Sequence, residues 1–348
     1  MDLDSRTGGG PGYDTLDRGL VQALQLDGRA PFSRIAEVLG VSDQTVARRY
    51  ARLRASGAAR VLGLSDPEAL GEVRWFVRVQ CVPGAAVAVA EALARREDTT
   101  WVTLGSGGTE INCSVRVDPE RQDDDSLLLQ RLPRTAGVVG VTAHCVLHTF
   151  FGGANSIVLK SGPLSAEQTA RLRPADAEAP MAPDERRAPV RLDEGDRRLL
   201  AALAVDGRAG FAELATATGW SASTVRRRMD ELLRCGVLYF DLDLDWRMFG
   251  VRTNTNLWLN VAPAELVATG EALAAHPEVG YVAATTGPNN LRASLLSGDT
   301  HAVYTYLTTR IAALPAVQRV ESAPIMRVVK GPGPVPPPPS RRTRRGGS

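Results

Sequence analysis

The chain contains the same segment twice, and this internal repeat constrains the fold more than any other feature of the sequence. When residues 17–61 are placed on residues 196–240 without gaps, 19 of the 45 positions are identical, at a constant offset of 179 residues. The clearest landmark is the run Asp-Gly-Arg-Ala, found at 27–30 and again at 206–209. Solenoid repeats have periods of about 20–50 residues, so this period is too long for one. The chain is therefore predicted to consist of two copies of one module.

The first part of each module has the pattern of three short helices. Leucines recur at helical spacing in the first of them. Gly40 ends a second helix, Ser42 is placed to cap a third, and Gly57 ends that third helix. Three helices with a glycine turn between the last two predict a helix-turn-helix, in which 42–56 and 221–235 are the second helices of the two pairs.

The second part of each module alternates between strand-like and helical patterns. In the first copy we predict strands at 73–82, 100–104, 111–117 and 138–147, and helices at 85–96 and 127–132. This order, βαββαβ, is that of a ferredoxin-like domain, and its second copy falls within 255–329. The predicted fold class is therefore α+β, with two winged-helix-type helix-turn-helix domains alternating with two ferredoxin-like βαββαβ domains.

These patterns divide the chain into seven segments. The predicted segments are 1–13, a disordered N-terminus; 14–63, the first helix-turn-helix domain; 64–151, the first ferredoxin-like domain; 152–191, a linker rich in Pro, Ala and charge; 192–242, the second helix-turn-helix domain; 243–330, the second ferredoxin-like domain; and 331–348, a disordered basic tail rich in Pro and Arg.

The residues of the repeated helical part carry a family resemblance. The first copy reads Asp27-Gly28-Arg29, Ile35-Ala36, Gly40-Val41-Ser42, Thr45-Val46, Arg49, Leu53 and Gly57, and the second copy is similar. Followed in each case by a βαββαβ pattern, it resembles the Lrp/AsnC family of bacterial transcription regulators, over 16–150 and 192–329. The resemblance implies double-stranded DNA as a partner, a small effector (an amino acid or a derivative), and homo-oligomers formed through the ferredoxin-like domains.

Composition excludes several other classes. The chain has 41 basic and 39 acidic residues, and its last 19 residues hold Lys330 and four arginines with no acid, which leaves the remainder at −3. Anion binding must therefore come from local patches. No apolar run reaches the length of a membrane span, the N-terminus lacks a signal-peptide pattern, and the four cysteines have no disulfide or zinc spacing. We expect a cytoplasmic protein with no membrane contact, no metal and no cofactor.

The second helix of each pair offers donors for base edges and cations for phosphates. Gln pairs with adenine, and Arg with guanine or phosphate. The candidate DNA-binding residues are Ser42, Gln44, Thr45, Arg48, Arg49 and Arg52 in the first copy, and Ser221, Ser223, Thr224, Arg226, Arg227 and Arg228 in the second. The alternative is that these arginines form an ordinary solvated face, and the family motif suggests that Arg49 and Arg228 brace the module. Because Ala47 corresponds to Arg226, the two half-sites should differ.

The family resemblance also implies an effector site near the turn that joins the second and third strands of each ferredoxin-like domain. The matching residues are Gly107, Thr109 and Glu110 in the first copy, and Gly287, Asn289 and Asn290 in the second. The family usually has Asp at the last position. Glu110 keeps that charge and Asn290 loses it. The alternative is that both are ordinary hairpin turns, which require Gly and Asn.

Two further functions stay open at this point. Some proteins that resemble this family are haem-pathway decarboxylases that use His and Arg, and here His144 and His148 are predicted to lie on one face of a strand, with Ala323 and Arg327 at the matching positions of the second copy. No nucleophile–base pair, phosphate loop or metal spacing accompanies them, so we predict that the chain is not an enzyme. The other alternative is an architectural protein that wraps DNA. The favoured hypothesis is a sequence-specific regulator, built as a covalent pseudo-dimer whose ferredoxin-like domains pack sheet to sheet.

Overall fold

A computed structural model of the chain describes residues 12–119, 127–174 and 188–335. The predicted disordered N-terminus therefore lies almost entirely outside the described residues, as does most of the predicted basic tail. No helix in the described ranges is long and apolar enough to cross a lipid bilayer.

Each module begins with three helices, as the sequence predicts. They are α1 (Thr15–Leu26), α2 (Phe32–Leu39) and α3 (Asp43–Ala55) in the first module, and α7 (Glu194–Val205), α8 (Phe211–Thr218) and α9 (Ala222–Arg234) in the second. The third helix of each unit buries one apolar stripe at helical spacing, and this stripe holds it against the first two helices. The stripes are Val46, Tyr50 and Leu53 in α3, and Val225, Met229 and Leu232 in α9.

The two helix-turn-helix units are joined by a two-stranded antiparallel ribbon. Strand β1 (Ala59–Ser65) follows α3 and strand β6 (Leu238–Leu244) follows α9. The register runs from Ala59 opposite Leu244 to Ser65 opposite Leu238. We expected a wing within each unit, but each unit supplies one strand and its partner strand comes from the other module.

The remaining elements form two βαββαβ domains. In the first module these are β2 (Val73–Cys81), α4 (Ala86–Ala94), β3 (Thr99–Gly105), β4 (Glu110–Val117), a single π-helical turn (Leu127–Arg131) and β5 (Val138–Phe151). In the second they are β7 (Thr253–Val261), α10 (Leu266–Ala275), β8 (Val279–Thr285), β9 (Leu291–Ser297), α11 (Thr300–Tyr306) with a π-helical turn (Leu307–Ile311), and β10 (Val317–Val328). The α+β fold class is confirmed.

The two sheets join through their edges into one closed barrel. The strand order is β10-β3-β4-β2-β5-β8-β9-β7, and β7 pairs with β10 to close the ring. Strand β5 of the first module pairs with β8 of the second, and β10 of the second pairs with β3 of the first. The sheets were expected to pack sheet to sheet, and the structure adds that they are also hydrogen-bonded to each other at both edges. Hydrogen bonding of both edges leaves neither sheet with a free edge strand.

Part of the predicted linker 152–191 is ordered on the first helix-turn-helix unit. It contains α5 (Val158–Ser161) and α6 (Ala166–Leu172). The Gln168 side chain donates to the carbonyl of Val38 on α2 at 3.0 Å. The start of the predicted disordered tail is also fixed, because the Trp101 amide donates to the carbonyl of Gly331 at 3.0 Å.

The repeated Asp-Gly-Arg-Ala runs meet at the contact between the two units and exchange equivalent bonds. The guanidinium hydrogen bonds run from Arg29 to the carbonyls of Gly207 and Ala209, at 2.7 and 3.0 Å, and from Arg208 to the carbonyls of Gly28 and Ala30, at 2.7 and 3.0 Å. Arg29 also lies over the ring of Phe211, and Arg208 over the equivalent ring of Phe32. Each contact is matched by its counterpart 179 positions along the chain, so the two units are related by an approximate two-fold axis.

Gly207 at this contact has no room for a side chain. A Cβ there would lie 2.8 Å from the carbonyl carbon of Leu62 and 3.0 Å from the backbone nitrogen of Gly63. We expect Gly207→Ala to lower the free energy of unfolding by about 1 kcal/mol or more, because backbone atoms cannot move aside as a flexible side chain can. Thermal unfolding checks this. The matched control is Gly298→Ala, where the nearest atom lies 3.7 Å away; equal losses in the two variants would contradict the explanation.

Asp241 on β6 is a half-buried acid of the ribbon. Its carboxylate accepts from Gln25 of the first module at 3.2 Å, and burial raises its pKa to about 6. In the unfolded chain the Asp pKa is about 3.9. Between this pH and the raised pKa of the folded state, the folded protein keeps the proton that the unfolded chain has lost. Stability should therefore fall as the pH rises from about 4 to about 6. We expect Asp241→Asn to be more stable than the parent by about 2 kcal/mol at pH 8 and equal to it at pH 3.5. Urea unfolding at both pH values tests this, and a constant difference would contradict it.

Candidate functional site

The two glycine turns position the second helix of each pair in the same way. Gly40 and Gly219 adopt left-handed conformations, with φ of 67° and 77°. Ser42 then caps α3 by accepting from the Thr45 amide at 3.2 Å, and Ser221 caps α9 through Thr224 in the same way. The N-terminal ends of α3 and α9 therefore begin at fixed points in their units.

The predicted DNA-binding residues divide into exposed and partly buried groups. The exposed ones are Ser42, Gln44, Arg48, Arg52, Ser221, Ser223, Arg226 and Arg227, and the partly buried ones are Thr45, Arg49, Thr224 and Arg228. All twelve belong to α3 and α9 or to their N-caps. The six predicted residues of each module therefore lie together on one helix, and the two helices are equivalent.

In the first unit, two of these arginines are bound to a buried carboxylate. Asp17 on α1 is 1% exposed. Arg49 reaches it at 2.9 Å and also pairs with Asp14 at 2.7 Å, while Arg52 reaches it at 2.6 Å. These pairs tie α3 to the start of α1, so the guanidinium groups of Arg49 and Arg52 are already engaged.

The second unit has the same brace with one arginine. Asp196 on α7 is fully buried, and Nε and Nη2 of Arg228 donate hydrogen bonds to its two carboxylate oxygens at 2.6 and 2.7 Å. Burial alone would raise the pKa of Asp196, but the hydrogen bonds from Arg228 and from the Asp193 amide outweigh it and lower the pKa below its ordinary value. The hydrogen bond to Asp196 is the main reason that the pKa of Arg228 is raised. The family motif indicated that Arg228 braces the module, but its partner Asp196 became visible only in the folded chain.

A smaller set remains available for DNA. On α3, Arg48 is exposed and has no ion pair among the described residues, and Gln44 is exposed beside it. On α9, Arg227 pairs with Glu231 at 2.5 Å along the helix, and the Arg226 guanidinium lies 4.4 Å from the centre of the Phe211 ring. A surface ion pair and a surface cation–π contact each contribute little, so these side chains can exchange them for contacts with phosphates or bases.

The predicted effector residues of the first module lie in a tight turn, where most of their polar groups are used within the chain. Gly107 has a left-handed φ of 71°, and the Thr109 hydroxyl donates to the Ser106 carbonyl at 2.9 Å. Glu110 is buried and pairs with Arg78 at 3.0 Å, and Arg78 also pairs with Glu321 at 2.5 Å. Arg78 and Glu321 were not predicted, because only the strand register places them beside Glu110.

The turn of the second module is similarly self-contained. Gly287 has a left-handed φ of 101°. The backbone carbonyl of Asn289 accepts a hydrogen bond from the Thr285 hydroxyl at 3.1 Å. The side-chain amide of Asn290 accepts from the Val261 N–H at 2.9 Å and donates to the Val261 carbonyl at 2.8 Å. These contacts stabilise hairpin turns, which was the alternative considered for them.

The prediction that His144 and His148 share one face is wrong. A bulge lies between Val146 and His148 where β5 pairs with β8, and a bulge changes which way the following side chains point. His144 lies beside Trp258, with ring centres 5.2 Å apart. His148 instead contacts Phe150, which packs in the helix-covered core of the second module. No group of three His, Cys, Asp or Glu side chains within the described ranges is arranged to hold a metal ion.

The fold and these helices define a tandem helix-turn-helix protein. The profile of the AsnC-type helix-turn-helix domain matches residues 14–54 and 192–233, and that of the Lrp/AsnC ligand binding domain matches residues 257–335. Among curated relatives, the HTH-type transcriptional regulator Rv2324 of Mycobacterium tuberculosis is 33% identical over 141 residues, which are 39% of this chain and 93% of that protein. The regulator LrpA of the same organism is 34% identical over 152 residues, covering 41% and 96%. The chain therefore belongs to the Lrp/AsnC family of transcriptional regulators, as its resemblance indicated.

Solved structures of another protein are similar over both modules. The siroheme decarboxylase NirDL has a TM-score of 0.58 and 14% identity, and the match covers 91% of this chain and 93% of that one. At this identity the likeness concerns the fold alone. It shows that the arrangement of two linked modules occurs in another protein of known structure.

Proposed function

We propose that this chain is a sequence-specific DNA-binding regulator that works as a covalent pseudo-dimer. The observation that carries the proposal is the reciprocal bonding of Arg29 and Arg208 across the two helix-turn-helix units, together with the β1–β6 ribbon. An approximate two-fold axis of this kind is what a dimeric helix-turn-helix protein uses to present two recognition helices to successive major grooves. Here both helices belong to one chain.

This arrangement makes a specific demand on the operator. Two-fold related helices read inverted half-sites, whose centres lie about 10–10.5 base pairs apart or at a multiple of this spacing. The half-sites should not be identical, because Asp43 and Ala47 of α3 correspond to Ala222 and Arg226 of α9. An imperfect inverted repeat is therefore the expected target.

Selection from a random DNA library, followed by footprinting on the selected sequence, tests the proposal. We expect one bipartite protected site with unequal halves, together with strong salt dependence from phosphate contacts. Binding that depends on salt but selects no sequence would instead favour the architectural alternative. No retention of any DNA at low salt would contradict the proposal.

We propose that DNA binding, and not catalysis, is the activity of this chain. The decarboxylase alternative is favoured only by the shared fold with NirDL. His144, its candidate on the barrel side of β5, hydrogen-bonds to the Thr286 carbonyl at 2.8 Å. Incubation of the purified protein with siroheme-type substrates should give no carbon dioxide and no decarboxylated product; turnover would contradict this part of the proposal.

The proposal includes regulation by a small molecule and assembly into larger oligomers. The match to the Lrp/AsnC ligand binding domain supports an effector. Because the strand edges of the ferredoxin-like domains are hydrogen-bonded within the chain, further copies would have to associate through outer surfaces of these domains. Sedimentation over a range of protein concentrations tests this, and a monomer at every concentration would contradict it.

A further inference from the structure

A large cavity lies between the barrel and the helix-turn-helix units. Its volume is about 930 Å³. Its walls come from both halves of the barrel, from α7, and from the β1–β6 ribbon. The residues of the two predicted effector turns do not line it. It is therefore a different place from the one that the family resemblance indicated.

Three aromatic rings form part of the cavity wall. Phe76 of the first module meets Trp258 and Tyr281 of the second edge to face, with ring centres 6.4 and 5.6 Å apart. The guanidinium of Arg292 lies among them, 4.1 Å from the centre of Phe76 and 5.5 Å from each of the other two. Phe76 and Trp258 are almost fully buried, at 6% and 1% exposed, whereas Tyr281 is half-buried, so the wall combines the ring of Tyr281 with one positive charge.

The positive charge of Arg292 has no anionic partner among the described residues. Its Nη2 donates to the Asn256 side chain at 2.7 Å, and it forms no ion pair with any described residue. Its Nε and the indole Nε1 of Trp258 are buried with no hydrogen-bond partner within the described ranges. Burial lowers the pKa of Arg292 to about 10. A buried cation without a counter-charge is costly, and proteins usually pair it.

The other charged residues that line the cavity are also mostly positive. Arg74, two residues before Phe76 on β2, also lines the cavity and has no ion pair with a described residue. Overall, seven basic side chains and three acidic ones line the cavity. A ligand that complements this wall must carry negative charge and have a flat body. Binding pockets usually have an apolar lining with a few polar groups that fix the ligand's orientation.

We propose that this cavity is a binding site for a small organic anion with a planar conjugated body, whose carboxylate is held by Arg292 and Arg74 while its rings pack against Tyr281, the half-buried ring of the three. The ligand would contact both modules and the ribbon between the helix-turn-helix units. Any effect of the ligand on operator affinity rests on the proposed function. Binding itself does not.

Calorimetric titration of the full chain with benzoate, indole-3-carboxylate and 2-naphthoate tests the site, with 2-naphthalenemethanol as the neutral counterpart of the last. We expect at least one acid to bind, and 2-naphthoate to bind about tenfold or more tightly than the alcohol. In Arg292→Met this preference should disappear, because the charge is removed while the flat walls remain. Arg74→Met is the second variant and should reduce the preference in the same direction.

Arg226→Ala is the matched control, since it removes an arginine from α9 outside the cavity, and its affinity for 2-naphthoate should equal that of the parent. Far-UV circular dichroism and a melting curve establish that each variant is folded. The site is contradicted if none of the acids binds at millimolar concentration, if acid and alcohol bind the parent equally, or if both Met variants keep the full preference. Operator affinity with and without ligand is measured separately, so its failure contradicts only the regulatory role.

Discussion

Asp196→Asn is expected to lower the free energy of opening of the second helix-turn-helix unit by about 3 kcal/mol, the lower part of the range for breaking a buried ion pair. The carboxylate is fully buried and accepts two short hydrogen bonds from Arg228, at 2.6 and 2.7 Å. An amide offers only one acceptor and places an N–H against the guanidinium. Amide hydrogen exchange of α9 measures this opening free energy directly.

The pH dependence provides a second check on the same variant. Because the pKa of Asp196 is lowered in the folded chain, its contribution is present above the unfolded carboxyl value of about 3.9 and is lost as the pH falls through the folded value. The difference between parent and variant should therefore be full at pH 7 and narrow below about pH 4. The matched control is Asp230→Asn on the exposed face of α9. The same loss in both variants would show that Asp196 is not a brace.

Arg226→Ala is expected to weaken operator binding by about 1–3 kcal/mol, or roughly 5- to 150-fold in Kd, if Arg226 contacts a guanine. Arg226 is exposed on α9, where its present contact is the face of Phe211. The loss should be confined to the half-site read by α9, because α3 has Ala47 at the matching position. Fluorescence anisotropy on the selected operator, and on versions with one half-site scrambled, measures both effects.

Two variants make this result specific. Arg310→Ala removes one exposed positive charge from the second module outside the helix-turn-helix units and should leave Kd nearly unchanged. Ala47→Arg gives α3 the side chain of α9 and should make the sequence preferences of the two half-sites more alike. If Arg226→Ala loses no more affinity than Arg310→Ala, then Arg226 is a solvated surface residue, which was the alternative interpretation of its charge.

Much of the fold could be predicted because it is encoded locally. The leucine spacing, the glycine stops and the serine caps each act within a few residues, and these signals placed the helices close to their observed bounds. Pairing between modules is a different matter. Nothing local in 59–65 or 238–244 says that these strands pair with each other and not within their own units, because a register depends on partners far along the chain. The barrel closure through β5–β8 and β10–β3 was missed for the same reason.

The site shows the same division. The sequence located the recognition helices, since their caps and charges are consecutive. The family motif pointed to Arg49 and Arg228 as braces but not to Arg52, because these pairs depend on acids on another helix, Asp17 and Asp196. The bulge that separates His144 from His148 has no local signature either. The cavity around Arg292 was invisible, since its walls come from strands of both modules that meet only when the barrel closes.

The covalent link between the two units has a consequence for how occupancy responds to the amount of protein. A regulator assembled from separate subunits loses its dimer on dilution, so its binding curve steepens and mixed dimers form with related subunits. In this chain the reciprocal bonds of Arg29 and Arg208 join parts of one molecule, whose effective concentration does not change with copy number. When one chain binds one operator, the occupancy of that operator should rise hyperbolically with the concentration of the protein. Each recognition helix is also free to change by mutation without altering the other.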